Sequence, residues 1–156
     1  MTRPRQPKKT LDIVVSRRSR VPGVSTAVVR REARRILLAL GESAAELTVS
    51  LVGDREIHDL NRDYRNKDRP TDVLAFAMRE GETVPETGNL LGDVVISLET
   101  ADIQAKRRRR PIADEVRILL VHGILHLLGY DHERSAAEAR RMFAMQRSLL
   151  RSPPLR

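Results

Sequence analysis

A single α+β domain, with a small mixed sheet of about four strands packed with about five helices, is the fold this sequence predicts. Three observations predict it. Short segments rich in β-branched residues alternate with segments of helical periodicity, in the order strand, helix, strand, helix, two strands, then helices. At 156 residues the chain fits one ordinary core. Its most apolar helix carries the densest cluster of histidines, which sets the site on a buried helix and the turn after it.

Residues 1–10, basic and carrying Pro4 and Pro7, read as a flexible arm. "LDIVV" (11–15) reads as a short strand. Beyond "RVPG", Val29, Ala33, Ile36, Leu37 and Leu40 recur at helical spacing, and Gly41 supplies the stop. "ELTVSLV" (46–52) alternates as a strand does. Asp54 then reads as the cap of a short helix with Ile57, Leu60 and Tyr64 on its inner face. "DVLAFAM" (72–78) and "GDVVISL" (92–98) are apolar on both faces, as strands covered on both sides are. A loop with Gly81, Pro85 and Gly88 joins them.

A helix is expected from Ser97 toward the "KRRRR" run at 106–110. Pro111 opens the next helix, Asp114 and Glu115 suit the positive end of its dipole, and Gly129 ends it. Ser135 and Glu138 form a capping box for the last helix, which is expected to bury Ala139, Met142, Phe143 and Leu150. "SPPLR" (152–156) is a tail, so residues 11–151 are expected to form the domain.

Composition narrows the chemistry. With no cysteine, thiolate catalysis, disulfides and Cys-ligated zinc are all excluded, and any metal site rests on histidines and carboxylates. No segment has the length of a membrane span or of a signal peptide's apolar region, so a soluble, cytoplasmic protein with no membrane partner is expected. The net charge of +8, with arginine predominating, suits a polyanion such as a nucleic acid, although solubility alone accounts for charge of this kind. The "KRRRR" run reads as a solvated helix end, with RNA contact as the alternative. Only 3% of residues are aromatic, so little base stacking is expected.

Three of the chain's four histidines fall within "HGILHLLGYDH" (122–132). His122 and His126 are four residues apart on one helical face, with Cβ atoms about 5–6 Å apart, and both rings can reach one ion. Gly129 lets the chain turn back so that His132 completes a tripod, the pattern of catalytic zinc with one open position. Separately satisfied histidines are the plain alternative, and it fits three so spaced poorly. The spacing is also that of the zinc protease motif H-E-x-x-H-x-x-G-x-x-H, but Gly123 stands where the protease has its glutamate base. Asp131 is read as orienting His132 rather than as a ligand. His58, between acids and without a metal-spaced neighbour, carries no assignment.

"HGILHLLGYDH" resembles the H-G-x-L-H-L-x-G-Y-D-H signature of the YbeY family of bacterial endoribonucleases, and "YRNKDRPTDVLAFAM" (64–78) and "GDVVIS" (92–97) resemble two further blocks of it. The resemblance implies that His122, His126 and His132 bind one Zn2+ per chain and that Arg65 is the arginine beside the active site. It implies cleavage of single-stranded RNA in maturation of the 3′ end of small-subunit rRNA and in ribosome quality control. Implied partners are the rRNA precursor, the small ribosomal subunit, and ribosomal proteins or an assembly GTPase; DNA is not expected. The reading from another class is a non-catalytic rRNA-binding assembly factor in which zinc is structural. Hydrolysis by zinc-bound hydroxide and attack by the RNA's own 2′-hydroxyl both remain open.

Overall fold

The computed structural model describes residues 10–78 and 89–153. The expected basic arm, apart from Thr10, the loop containing Gly81, Pro85 and Gly88, and residues 154–156 of the expected tail lie outside the described residues. Among the described residues nine elements follow in order: β1 (Asp12–Arg17), α1 (Thr26–Ala39), β2 (Glu46–Val52), α2 (Asp54–Arg65), β3 (Val73–Ala77), β4 (Leu90–Ser97), α3 (Leu98–Arg107), α4 (Ile112–Leu127) and α5 (Ala136–Leu150). The sheet order is β1-β2-β4-β3, with β1, β2 and β4 parallel and β3 antiparallel on the outer edge of β4. This is the expected α+β architecture, a mixed four-stranded sheet with five helices.

The pleat sends alternate residues of β4 into two cores. Val94 and Ile96 join Ile13, Val49 and Leu51 beneath α1 and α4. Val95 joins Val52, Leu74 and Ile57 of α2 on the opposite face. The two-faced burial expected of 92–98 is therefore present in β4. It is weaker in β3, where Leu74 is buried and its neighbours are half-buried, because an edge strand has cover on one flank only.

The structure moves several side chains from where periodicity puts them. The N-cap of α2 is Gly53, not Asp54, and Glu99 of α3 reaches across to accept the Asp54 N–H at 2.9 Å. A Cβ on Gly53 would stand 2.4 Å from that Glu99 carboxylate oxygen. The Asp54 carboxylate instead accepts the Ser97 hydroxyl at 2.6 Å and that of Thr100. Tyr64 is 70% exposed and Phe143 44% exposed, although helical phase had placed both inward. Among the α5 residues that face the core, Met142 and Leu149 are buried.

A buried ionic cluster ties α1, α4 and the end of α5 together. Glu32 of α1 accepts from Arg35 at 3.0 Å and from Arg117 of α4 at 3.2 Å, and both Glu32 and Arg117 are buried. The same guanidinium groups donate to the carbonyls of Leu149, Leu150 and Ser152, which the end of α5 leaves without helical partners. The "KRRRR" run is likewise divided. Arg108 and Arg110 bracket the fully buried Glu115 carboxylate at 2.6 and 3.4 Å, Lys106 pairs with Asp102, and Arg107 and Arg109 are exposed.

Candidate metal centre

Helix α4 owes its burial to its composition, and its end to Gly129. That glycine has φ +96°, donates its N–H to His126 O at 3.0 Å, and is followed by Tyr130 donating to Leu125 O at 3.1 Å. This paired closure needs a left-handed residue, which glycine adopts without Cβ strain. The chain then reverses, and His132 returns to the face that carries His122 and His126.

The three rings form a triangle with centroid separations of 4.6, 5.6 and 5.5 Å. One ligand atom from each lies within 4.8 Å of the others. His122 Nε2 and His126 Nε2 are 3.1 Å apart. Two tetrahedral ligands at about 2.0–2.1 Å from a zinc ion stand roughly 3.3–3.4 Å apart, so the pair is already spaced for one ion. A hydrogen bond between two neutral rings would account for that pair alone. It would not account for the third ring, whose Nδ1 is buried with no hydrogen-bond partner among the described residues. The donor set therefore fits a divalent metal, and three nitrogens leave a tetrahedral ion one position open.

Burial and mutual repulsion favour the ligating form of His122 and His126. Burial, and then repulsion from His126 and His132, pushes the His122 pKa down to about 4, with Asp72 pulling the other way. His126 is lowered by burial first and by His132 next, and the charge of Arg65 adds to the lowering. Neutral imidazole is the species that binds metal.

Arg65 sits at the C-terminal end of α2, where Asn66 takes a left-handed conformation (φ +55°) and turns the chain out of the helix. Its guanidinium donates from Nη2 to the Ala75 carbonyl and lies 5.3 Å from the centroid of the Phe76 ring. It is exposed but held in place.

Gln146 was not legible in the sequence. Its amide nitrogen lies 2.8 Å from His122 Nδ1, the ring atom turned away from His126, so α5 braces the rear of that ring. A metal-bound histidine donates this N–H to an oxygen, so Gln146 orients His122 for an ion on Nε2 once its amide is turned to present Oε1. Asp131, by contrast, does not orient His132: its Oδ1 accepts the Glu133 N–H at 2.9 Å and its Oδ2 pairs with Arg134 at 3.4 Å. His58 meets Asp68 at 2.7 Å, apart from the cluster, as its lack of spaced neighbours suggested.

The family model for endoribonuclease YbeY matches residues 15–153. The chain belongs to the YbeY family. It is 45% identical over 140 residues to the endoribonuclease YbeY of Geobacter metallireducens, covering 89% of this chain and 93% of that one. It is 44% identical over 124 residues to that of Aquifex aeolicus, covering 78% and 79%. The solution structure of TM1509 from Thermotoga maritima is similar at a TM-score of 0.62 and 25% identity, over 88% of this chain and 86% of that one.

The YbeY match spans all three resembling blocks, and the structure explains one residue in the last of them. Gly123 faces the sheet, and a Cβ there would stand 2.7 Å from Val94 Cγ1 and 3.4 Å from Val73 Cγ2. A protease glutamate at this position would be driven into the core and away from a metal. Gly123→Ala is expected to lose about 1 kcal/mol net, because overpacking of about 1–3 kcal/mol outweighs the helix-propensity gain of about 1 kcal/mol. Urea denaturation of the metal-free protein checks this through the midpoint, with the slope unchanged.

Proposed function

We propose that this chain is a zinc-dependent endoribonuclease that cleaves single-stranded RNA and acts on the rRNA precursor of the small ribosomal subunit in the cytoplasm. The observation that carries the reading is the three-imidazole tripod with one open position; the oriented guanidinium of Arg65 and the YbeY relatives, named as endoribonucleases, support it. His122, His126 and His132 would hold the ion. Bound zinc would supply either a water of pKa about 7 or polarisation of a phosphate oxygen for attack by the RNA's 2′-hydroxyl.

Either route builds negative charge on the phosphorus oxygens, and Arg65 is the residue to meet it. The Ala75 carbonyl occupies one N–H of its fork and Phe76 backs its plane, which leaves other N–H groups for a phosphate. Lysine has neither the plane nor the fork and should substitute poorly. Exposed Arg107 and Arg109 add phosphate contacts at a distance, whereas Arg108 and Arg110 are committed to Glu115. Ribosomal proteins or an assembly GTPase would aim the enzyme at its site.

A structural zinc in a non-catalytic assembly factor would normally be closed by four ligands, and the cluster has three among the described residues. The test is cleavage of a single-stranded rRNA precursor by protein loaded with zinc, against the chelated protein. Arg65→Ala is expected to keep its zinc and melting temperature while kcat/KM falls by about 100-fold or more, the loss typical of a missing transition-state donor. Wild-type cleavage by the alanine variant overturns the role of Arg65. No zinc-dependent cleavage by the wild type overturns the enzyme.

A further inference from the structure

We infer that Phe143 and Tyr64 are stacking platforms for the bases on either side of the scissile phosphate, and that they give the site a preference for unpaired strands. The inference rests on the ribonuclease reading and adds to it the groups that recognise the nucleobases. Four aromatic residues occur in the whole chain. Tyr130 packs against the main core. The other three border the metal centre or its arginine. Phe143 of α5 is exposed, with its ring centroid 6.2 Å from that of His132. Tyr64 precedes Arg65 and stands edge-on to Phe76 at 5.6 Å, the ring over which Arg65 lies.

Large exposed apolar rings need a reason in a chain this charged, and here they are not scattered. A phosphate held between the open metal position and the Arg65 guanidinium would carry one nucleoside toward the His132 side and the other toward the α2 side. Each would meet an aromatic face. Bases paired in a duplex have both faces covered, so only an unpaired strand can use these rings. Phe76 is half-buried and serves as the floor on which Tyr64 and Arg65 are held. The low aromatic content therefore understates stacking, because composition does not say where the rings lie.

The test measures binding by the full chain kept metal-free with chelator, so that no strand is cut, using labelled single-stranded oligoadenylate, the same backbone lacking bases, and a duplex RNA. Wild type is expected to prefer oligoadenylate over both. Phe143→Ala and Tyr64→Ala are each expected to weaken oligoadenylate binding by about 10-fold, within the range known for base–aromatic stacking, and to leave the abasic strand unaffected. Phe143→Leu keeps apolar bulk without a π-face and should fall as far as alanine. Zinc content and thermal midpoints of the variants report whether the His132 turn has stayed intact. A wild type that binds the abasic strand as tightly as oligoadenylate, or a leucine variant with full affinity, overturns the platforms and leaves the nuclease reading standing. A wild type that binds and cleaves no RNA removes both.

Discussion

His126→Ala is expected to weaken zinc binding by more than about 100-fold and to abolish RNA cleavage, while the metal-free protein remains folded. The size follows from what is removed. Loss of a partner behind a ligand commonly costs 10–100-fold in metal affinity, and loss of a ligand should cost more. Two imidazoles remain, on His122 and His132, whose ring centroids are 5.6 Å apart. His126 is half-buried and not among the buried core residues, so truncation opens little cavity. Competition with a chromophoric chelator measures the affinity, and circular dichroism of the metal-free variant reports the fold. Gln146→Leu belongs to the same series. It leaves all three rings and removes only the brace at His122 Nδ1, so its loss should stay within about 10–100-fold. If the His126 variant binds zinc as tightly as wild type, the three rings do not share an ion.

The tripod was legible because its geometry is local. Four residues along a helix and a glycine turn fix where His122, His126 and His132 stand, and no distant contact is needed to bring them together. Gln146 was not legible, because it reaches His122 across 24 residues and only the docking of α5 on α4 joins them. The strands and helices emerged from periodicity to within a few residues, whereas caps and faces were less secure. Asp54 looked like a cap because aspartate favours that position, yet a carboxylate 45 residues away in α3 took the role. Helical phase also turned Tyr64 and Phe143 inward, since an aromatic residue beside an apolar stripe has the pattern of core whether it is packed or reserved for a ligand. The "KRRRR" run resisted a single reading for a similar reason. Two of its arginines neutralise a buried glutamate from the next helix, a contact that charge alone does not reveal.

Glu32→Ala is expected to be the most destabilising single change outside the core, at about 3–5 kcal/mol. A pair exposed to water would contribute at most about 1 kcal/mol, but Glu32 and Arg117 are both buried, and removing one partner strands the other charge in a low dielectric. The carbonyls of Leu150 and Ser152 still solvate the Arg117 guanidinium, but they carry no compensating charge. In a chain of this size the loss corresponds to a fall of roughly 10 °C in the melting temperature. Replacing Glu32 and Arg117 together by methionine should recover most of it, because a buried pair exchanged for apolar bulk is often neutral. Calorimetry of the two variants separates the cases: a Glu32→Ala midpoint within a degree or two of wild type would mean that water reaches the cluster. The consequence extends to the metal centre, since the arginines that Glu32 neutralises bind the end of the helix that carries Gln146 and Phe143. Loosening that end should lower zinc affinity in Glu32→Ala without touching a ligand, and the double methionine variant, which loses the Arg117 contacts to Leu150 and Ser152 but keeps Arg35 on Leu149, should show how much of the effect depends on charge and how much on the docking of α5.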